Sequence, residues 1–94
     1  MYVVSYDISS DRLRNKVAET LLDYGRRMQY SVFECDISEK RFGELYTRLC
    51  KLTGDARDCY IRIYFICANC ISKIQLIGEP KVDAKYNRDG VIII

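Results

Sequence analysis

The sequence predicts a two-layer α/β sandwich with two helices packed on one face of a sheet. Three observations carry that reading. A β-branched and aromatic run opens the chain, two apolar stripes recur at helical spacing further on, and a later run alternates between the two sides of a strand.

Tyr2-Val3-Val4-Ser5-Tyr6-Asp7-Ile8 has the composition of a short buried strand, and Ser9-Ser10-Asp11 after it offers oxygens to cap a helix start. Leu13, Val17 and Leu21, joined by Ala18, Leu22 and Tyr24, then fall at helical spacing. Gly25 stands where a left-handed C-terminal cap belongs. From Met28 to Cys35 the residues alternate with the period of one strand, although each face is mixed. Asp36 or Ser38 can cap a second helix, whose stripe is Phe42, Leu45, Tyr46, Leu49 and Leu52 and which Gly54 ends. Cys59 to Ile66 is a third strand. Tyr60, Arg62 and Tyr64 lie on one of its sides, and Ile61, Ile63 and Phe65 on the side that can pack on helices. Cys70 to Gly78 reads as a fourth strand that Pro80 ends, since proline cannot donate to a ladder. This order, with the second helix between strands two and three, does not by itself match a standard ferredoxin-like alternation. Residues 79–90 are polar and charged, and the chain then closes on Val91-Ile92-Ile93-Ile94. Those four read either as an extra edge strand or as a strand added to the sheet of a second subunit. The expected organisation is a domain over residues 1–78 and a linker with a terminal strand over 79–94.

Ninety-four residues leave room for one domain of ordinary size. With 49% hydrophobic, 30% charged and 12% aromatic residues, the chain has the apolar content to fold. So small a domain buries only about 60% of its unfolded surface, and size alone therefore favours association with a second copy. The formal net charge of +2 does not announce a nucleic-acid binder. Its distribution matters more: Arg12, Arg14, Lys16, Arg26 and Arg27 form a run broken only by Glu19 and Asp23, read either as a solvated helix face or as a local basic patch. Neither a signal peptide nor a membrane span is expected. Five cysteines, Cys35, Cys50, Cys59, Cys67 and Cys70, read as reduced thiols and a cytoplasmic location.

Asp7 is the first candidate for chemistry, a carboxylate at the C-terminal end of a strand that otherwise reads as buried. Mg²⁺ takes oxygen ligands, often one or two carboxylates with water and phosphate, so two Asp7 side chains brought together by a twofold axis would complete a site. The competing reading is that Asp7 caps the following helix. Cys67-Ala68-Asn69-Cys70 suggests redox chemistry or half a zinc site, but no second C-x-x-C accompanies it, and buried structural thiols are the simpler expectation. The absence of histidine excludes Ser-His-Asp and Cys-His triads, and no Walker loop or GxGxxG fingerprint occurs.

Val4-Ser5-Tyr6-Asp7-Ile8, Arg12-x-Arg14-x-Lys16, Gly25 and Gln29-Tyr30-Ser31-Val32-Phe33-Glu34 together resemble the CRISPR-associated protein 2 family. Asp58 to Tyr64, the Cys67-x-x-Cys70 pair, Gly78 and the closing apolar run look like the same family, so the likeness spans almost the whole chain in order. The resemblance implies a ferredoxin-like fold, with a four-stranded antiparallel sheet under two helices. It also implies a homodimer in which the C-terminal strand of one subunit joins the sheet of the other. It assigns Asp7 to a divalent metal, Mg²⁺ or another cation, shared across the dimer axis. Tyr6, Arg14, Lys16, Arg27 and Phe33 match positions linked to nuclease activity or nucleic-acid contact. Lys16 departs from an arginine there, which keeps the charge and removes a bidentate phosphate grip.

The implied function is CRISPR adaptation, the acquisition of spacers in antiviral defence, with metal-assisted hydrolysis of phosphodiester bonds in RNA or double-stranded DNA. In the alternative the protein is a non-catalytic DNA-binding scaffold that bridges copies of the CRISPR-associated protein 1 integrase. Arg12, Arg14, Lys16, Arg26 and Arg27 would then bind phosphates without reading sequence.

Overall fold

The computed structural model describes residues 1–78. In chain order they form β1 (Tyr2–Ile8), α1 (Asp11–Leu22), β2 (Arg26–Gln29), β3 (Val32–Cys35), α2 (Glu39–Thr53), β4 (Cys59–Phe65) and α3 (Ala68–Ile71). The four strands make one antiparallel sheet in the order β2-β3-β1-β4. Through β4 the order is βαββαβ, the ferredoxin-like topology, and the fold class implied by the resemblance is the one observed.

Two strand expectations are corrected. Met28 to Cys35 is not one strand: β2 and β3 form a hairpin around Tyr30 and Ser31, with Arg26 opposite Glu34 and Arg27 opposite Phe33. A two-residue turn preserves the parity of an alternating pattern, and this one carries no glycine, asparagine or proline to mark it. Cys70 to Gly78 is not a strand either. Its first residues belong to α3, and Ile74 to Gly78 follow without regular structure, with Ile77 fully exposed. The hairpin thus supplies the strand that was expected after residue 70, which restores the alternation. The expected linker and strand at 79–94 lie outside the described residues.

The helix starts are capped by side chains. Ser10 Oγ accepts from the Leu13 N–H at 3.2 Å, and Ser38 Oγ from the Arg41 N–H at 3.1 Å. α2 ends at Gly54, where φ of +44° suits glycine. Gly25 is not a left-handed cap, because α1 has already ended at Asp23 in right-handed geometry. It is glycine for lack of space: a Cβ there would lie 2.2 Å from the Glu34 carbonyl oxygen and 2.7 Å from Cys35 Sγ.

One face of β1 carries Val4, Tyr6 and Ile8 into the core, where they meet Val17 and Leu21 of α1, Phe33 and Cys35 of β3, and Leu45 and Leu49 of α2. Each such aliphatic or aromatic side chain contributes about 1.5–3 kcal/mol when buried. Ile61 and Ile63 of β4 pack against the edge of this core, as the alternation predicts. The opposite face of β1 carries Val3, Ser5 and Asp7, in register with Tyr64, Arg62 and Tyr60. α1 and α2 leave this second face uncovered.

Candidate functional site

Asp7 is exposed although both its neighbours, Tyr6 and Ile8, are buried. Strand alternation produces this: the residues that anchor the end of β1 in the core turn the carboxylate between them outward. Asp7 does not cap α1, since Ser10 does. The end of β1 is held from two directions. Arg14 donates to the Ile8 carbonyl at 2.7 Å and pairs with Asp11, tying the first turn of α1 to the strand. The Ser9 N–H donates to the Asp58 carbonyl at 3.1 Å, tying in the segment before β4.

The other candidates divide into three groups. Tyr6 is 4% exposed, and its hydroxyl donates to the Tyr30 carbonyl at 2.9 Å, pinning the hairpin turn to β1. Phe33 is fully buried, its ring 6.2 Å from that of Tyr6, and the Arg27 guanidinium lies over it at 5.1 Å. Tyr6 and Phe33 therefore belong to the core that supports the site.

Arg26 and Arg27 are consecutive in a strand and so face opposite ways. Arg26 is buried and paired with Glu34 at 3.7 Å, whereas Arg27 is half-buried with its Nε making no hydrogen bond among the described residues. Of the five cations in the run, Arg12 and Lys16, one turn apart on α1, are the exposed ones. The five cations of the run do not form one surface.

Tyr60, Arg62 and Tyr64 share the uncovered face with Asp7, and Tyr60 is its cross-strand partner. Both tyrosines are about half-exposed, and Arg62 lies over the Tyr64 ring at 5.6 Å. The alternation of β4 makes this face legible in the sequence; only the antiparallel register brings Tyr60 rather than Tyr64 beside Asp7.

Among the described residues no three Asp, Glu, Cys or His side chains converge as a metal site. Asp7 is an exposed carboxylate, and it fits Mg²⁺ where phosphate, water or a second copy supplies the remaining oxygens. Of the cysteines, Cys35 is buried, and burial with the nearby Glu34 charge pushes its thiol up to about 11. Cys67 and Cys70 are exposed, contrary to the expectation of buried thiols, because they follow the end of an edge strand. No helix among the described residues is long and apolar enough to cross a membrane.

The family model described as CRISPR associated protein Cas2 matches residues 1–74. A CRISPR-associated endoribonuclease Cas2 of Synechocystis sp. is 42% identical over 80 residues, covering 85% of this chain and 86% of the relative. One from Chloroflexus aurantiacus is 42% identical over 78 residues, covering 83% and 84%. Among solved structures, a hypothetical protein from Thermus thermophilus superposes with a TM-score of 0.72 at 34% identity, covering 86% of this chain and 93% of that one. Streptococcus pyogenes Cas2 gives 0.70 at 29% identity, covering 82% and 98%.

Proposed function

This chain belongs to the CRISPR-associated protein Cas2 family, and on that premise we propose that it works in CRISPR adaptation as a homodimeric, Mg²⁺-dependent endonuclease centred on Asp7. One observation carries the reading: Asp7 is the exposed carboxylate at a strand end whose two neighbours are locked in the core. A rigid mount of that kind suits a group that must hold a cation in place. The relatives are named endoribonucleases, which supports RNA as the first substrate to test, with double-stranded DNA second. The five free cysteines agree with action in the cytoplasm.

Asp7 and its counterpart in a second copy would hold the cation. When bound, Mg²⁺ supplies positive charge for the scissile phosphate and lowers the pKa of a water. The chain's own residues do the positioning. Arg14 fixes the turn after Asp7, Tyr6 ties β1 to the hairpin, and Phe33 carries the Arg27 guanidinium. Arg12 and Lys16 would hold backbone phosphates, with Arg14, Arg26 and Arg27 contributing once nucleic acid competes for their present partners. Residues 79–94 would supply the dimer-associated strand, with β4, at the end of the sheet, as the edge it joins.

A specific observation favours the second reading, a non-catalytic DNA scaffold bridging the CRISPR-associated protein 1 integrase. The exposed cations of the basic run, Arg12 and Lys16, lie on α1 and not on the sheet. Phosphate binding there needs no carboxylate.

Cleavage of labelled single-stranded RNA and duplex DNA in Mg²⁺, with binding measured alongside, separates the two. Asp7→Ala is expected to lose cleavage at least about 100-fold with binding retained. Arg12→Ala with Lys16→Ala is expected to weaken binding on every sequence and to lower the salt slope by about 2. No cleavage by the wild type, or equal cleavage by Asp7→Ala, would sink the nuclease and leave the scaffold.

A further inference from the structure

β4 leaves the sheet through Ile66, whose N–H donates to the Met1 carbonyl at 2.7 Å while the Met1 ammonium donates back to its carbonyl at 2.9 Å. The chain is therefore anchored up to the residue before Cys67. Cys67 is the N-cap of α3, with extended backbone at ψ of 166°. The N–H groups of Cys70 and Ile71 both donate to its carbonyl, at 3.0 and 2.9 Å. A turn closed in this way brings its first and fourth Cα atoms within about 7 Å, and a disulfide spans Cα separations of about 4.4–6.8 Å. The two cysteines hold the first and fourth positions of that turn, the spacing a C-x-x-C disulfide bridges. Both are exposed free thiols.

From this juxtaposition we propose that Cys67 and Cys70 form a dithiol–disulfide exchange site that reacts with small disulfides and thiols of the glutathione class. The Cys67 thiolate attacks one sulfur of the external disulfide, forming a mixed disulfide and releasing one thiolate. Cys70 then gives up its proton and attacks the Cys67 sulfur, which forms the intrachain bond and expels the second thiolate. Two protein thiols become one disulfide, and the two electrons and two protons they lose reduce the external disulfide to two thiols.

The order of attack follows from the surroundings. The Cys70 N–H and thiol lower the Cys67 pKa, while the Cys70 pKa rises against the neighbouring sulfur. The other cysteines lack this arrangement. Cys35 is buried with its pKa near 11, Cys59 is raised by burial, and Cys50 is an exposed thiol on α2. The site stands apart from the reading at Asp7 and does not depend on it.

The test uses the full-length wild-type chain, equilibrated in glutathione buffers of rising oxidised-to-reduced ratio, quenched by alkylation and mapped by peptide mass spectrometry. The peptide holding Cys67 and Cys70 is expected to lose two hydrogens, reversibly, before Cys50 acquires glutathione. Under reducing conditions at neutral pH, Cys67 is expected to react with iodoacetamide several-fold faster than Cys50. Cys70→Ser is expected to trap one glutathione on Cys67. A peptide that stays reduced across the whole range would overturn the proposal, as would glutathione spread evenly over Cys50, Cys67 and Cys70 without an intrachain bond.

Discussion

Gly25 and Cys35 occupy one crowded point, where the segment after α1 crosses β3. A methyl group on Gly25 would press on the Glu34 carbonyl and the Cys35 sulfur at once, and the first of these is backbone that cannot rotate away. Gly25→Ala is therefore expected to destabilise the fold by about 1–3 kcal/mol through overpacking, read as a lower urea midpoint at unchanged slope. Cys35 gives the same point a pH signature. Folded Cys35 keeps its proton at a pH where the unfolded thiol, with an ordinary value of 9.0, has lost it. The unfolded state then binds fewer protons than the native one, so stability is intact below pH 9.0 and falls as pH rises towards about 11. The expected loss approaches about 1.4 kcal/mol per pH unit within that window. Denaturant unfolding of wild type against Cys35→Ala isolates it: the stability gap should narrow above pH 9.0, and a constant gap would refute the assignment.

Among the elements, the β2–β3 hairpin depends most on contacts remote in sequence. Its turn is held by the Tyr6 hydroxyl on the Tyr30 carbonyl and by the Tyr6 N–H on the Ser31 carbonyl at 3.0 Å. Tyr6→Phe removes the first bond and leaves the second, and is expected to cost about 1 kcal/mol. Amide hydrogen exchange should quicken in β2 and β3 ahead of α1 and α2, and uniform quickening would argue against a local role for the hydroxyl. The hairpin also shows what was legible beforehand. β1, α1, α2 and β4 could be read because their own period matches the face they bury, and the capping segments because a cap is local, with Ser10 and Ser38 the members the structure selects from Ser9-Ser10-Asp11 and from Asp36 or Ser38. The reversal at Tyr30 could not, since what stabilises it is a hydroxyl 24 residues away. Asp7 was legible as a polar residue ending a buried strand. How the basic run is distributed was not legible, because adjacency in sequence places Arg26 and Arg27 on opposite faces of β2.

At the scale of the whole molecule, α1 and α2 cover one side of the sheet. Tyr60 and Tyr64 stand about half-exposed on the other, and Phe65 is 65% exposed at the end of β4, the edge strand among the described residues. A domain this small gains a large part of its stability from any further burial, which ties the proposed dimer to folding as well as to the Asp7 site. If the apolar residues Val91 to Ile94 of one copy complete the sheet of another, dissociation exposes the β4 edge and removes the second Asp7 together. The thermal midpoint should then rise with protein concentration, as mass action requires when the folded state is a dimer. Ile93→Pro removes a ladder donor from that segment. It is expected to weaken the dimer at least about tenfold, equivalent to about 1.4 kcal/mol, by sedimentation equilibrium, and to lower Mg²⁺-dependent cleavage in parallel at concentrations near the dissociation constant. A wild-type midpoint independent of concentration, with a monomer mass, would remove the dimer and with it the shared cation, since a cation held across a twofold axis needs the second Asp7.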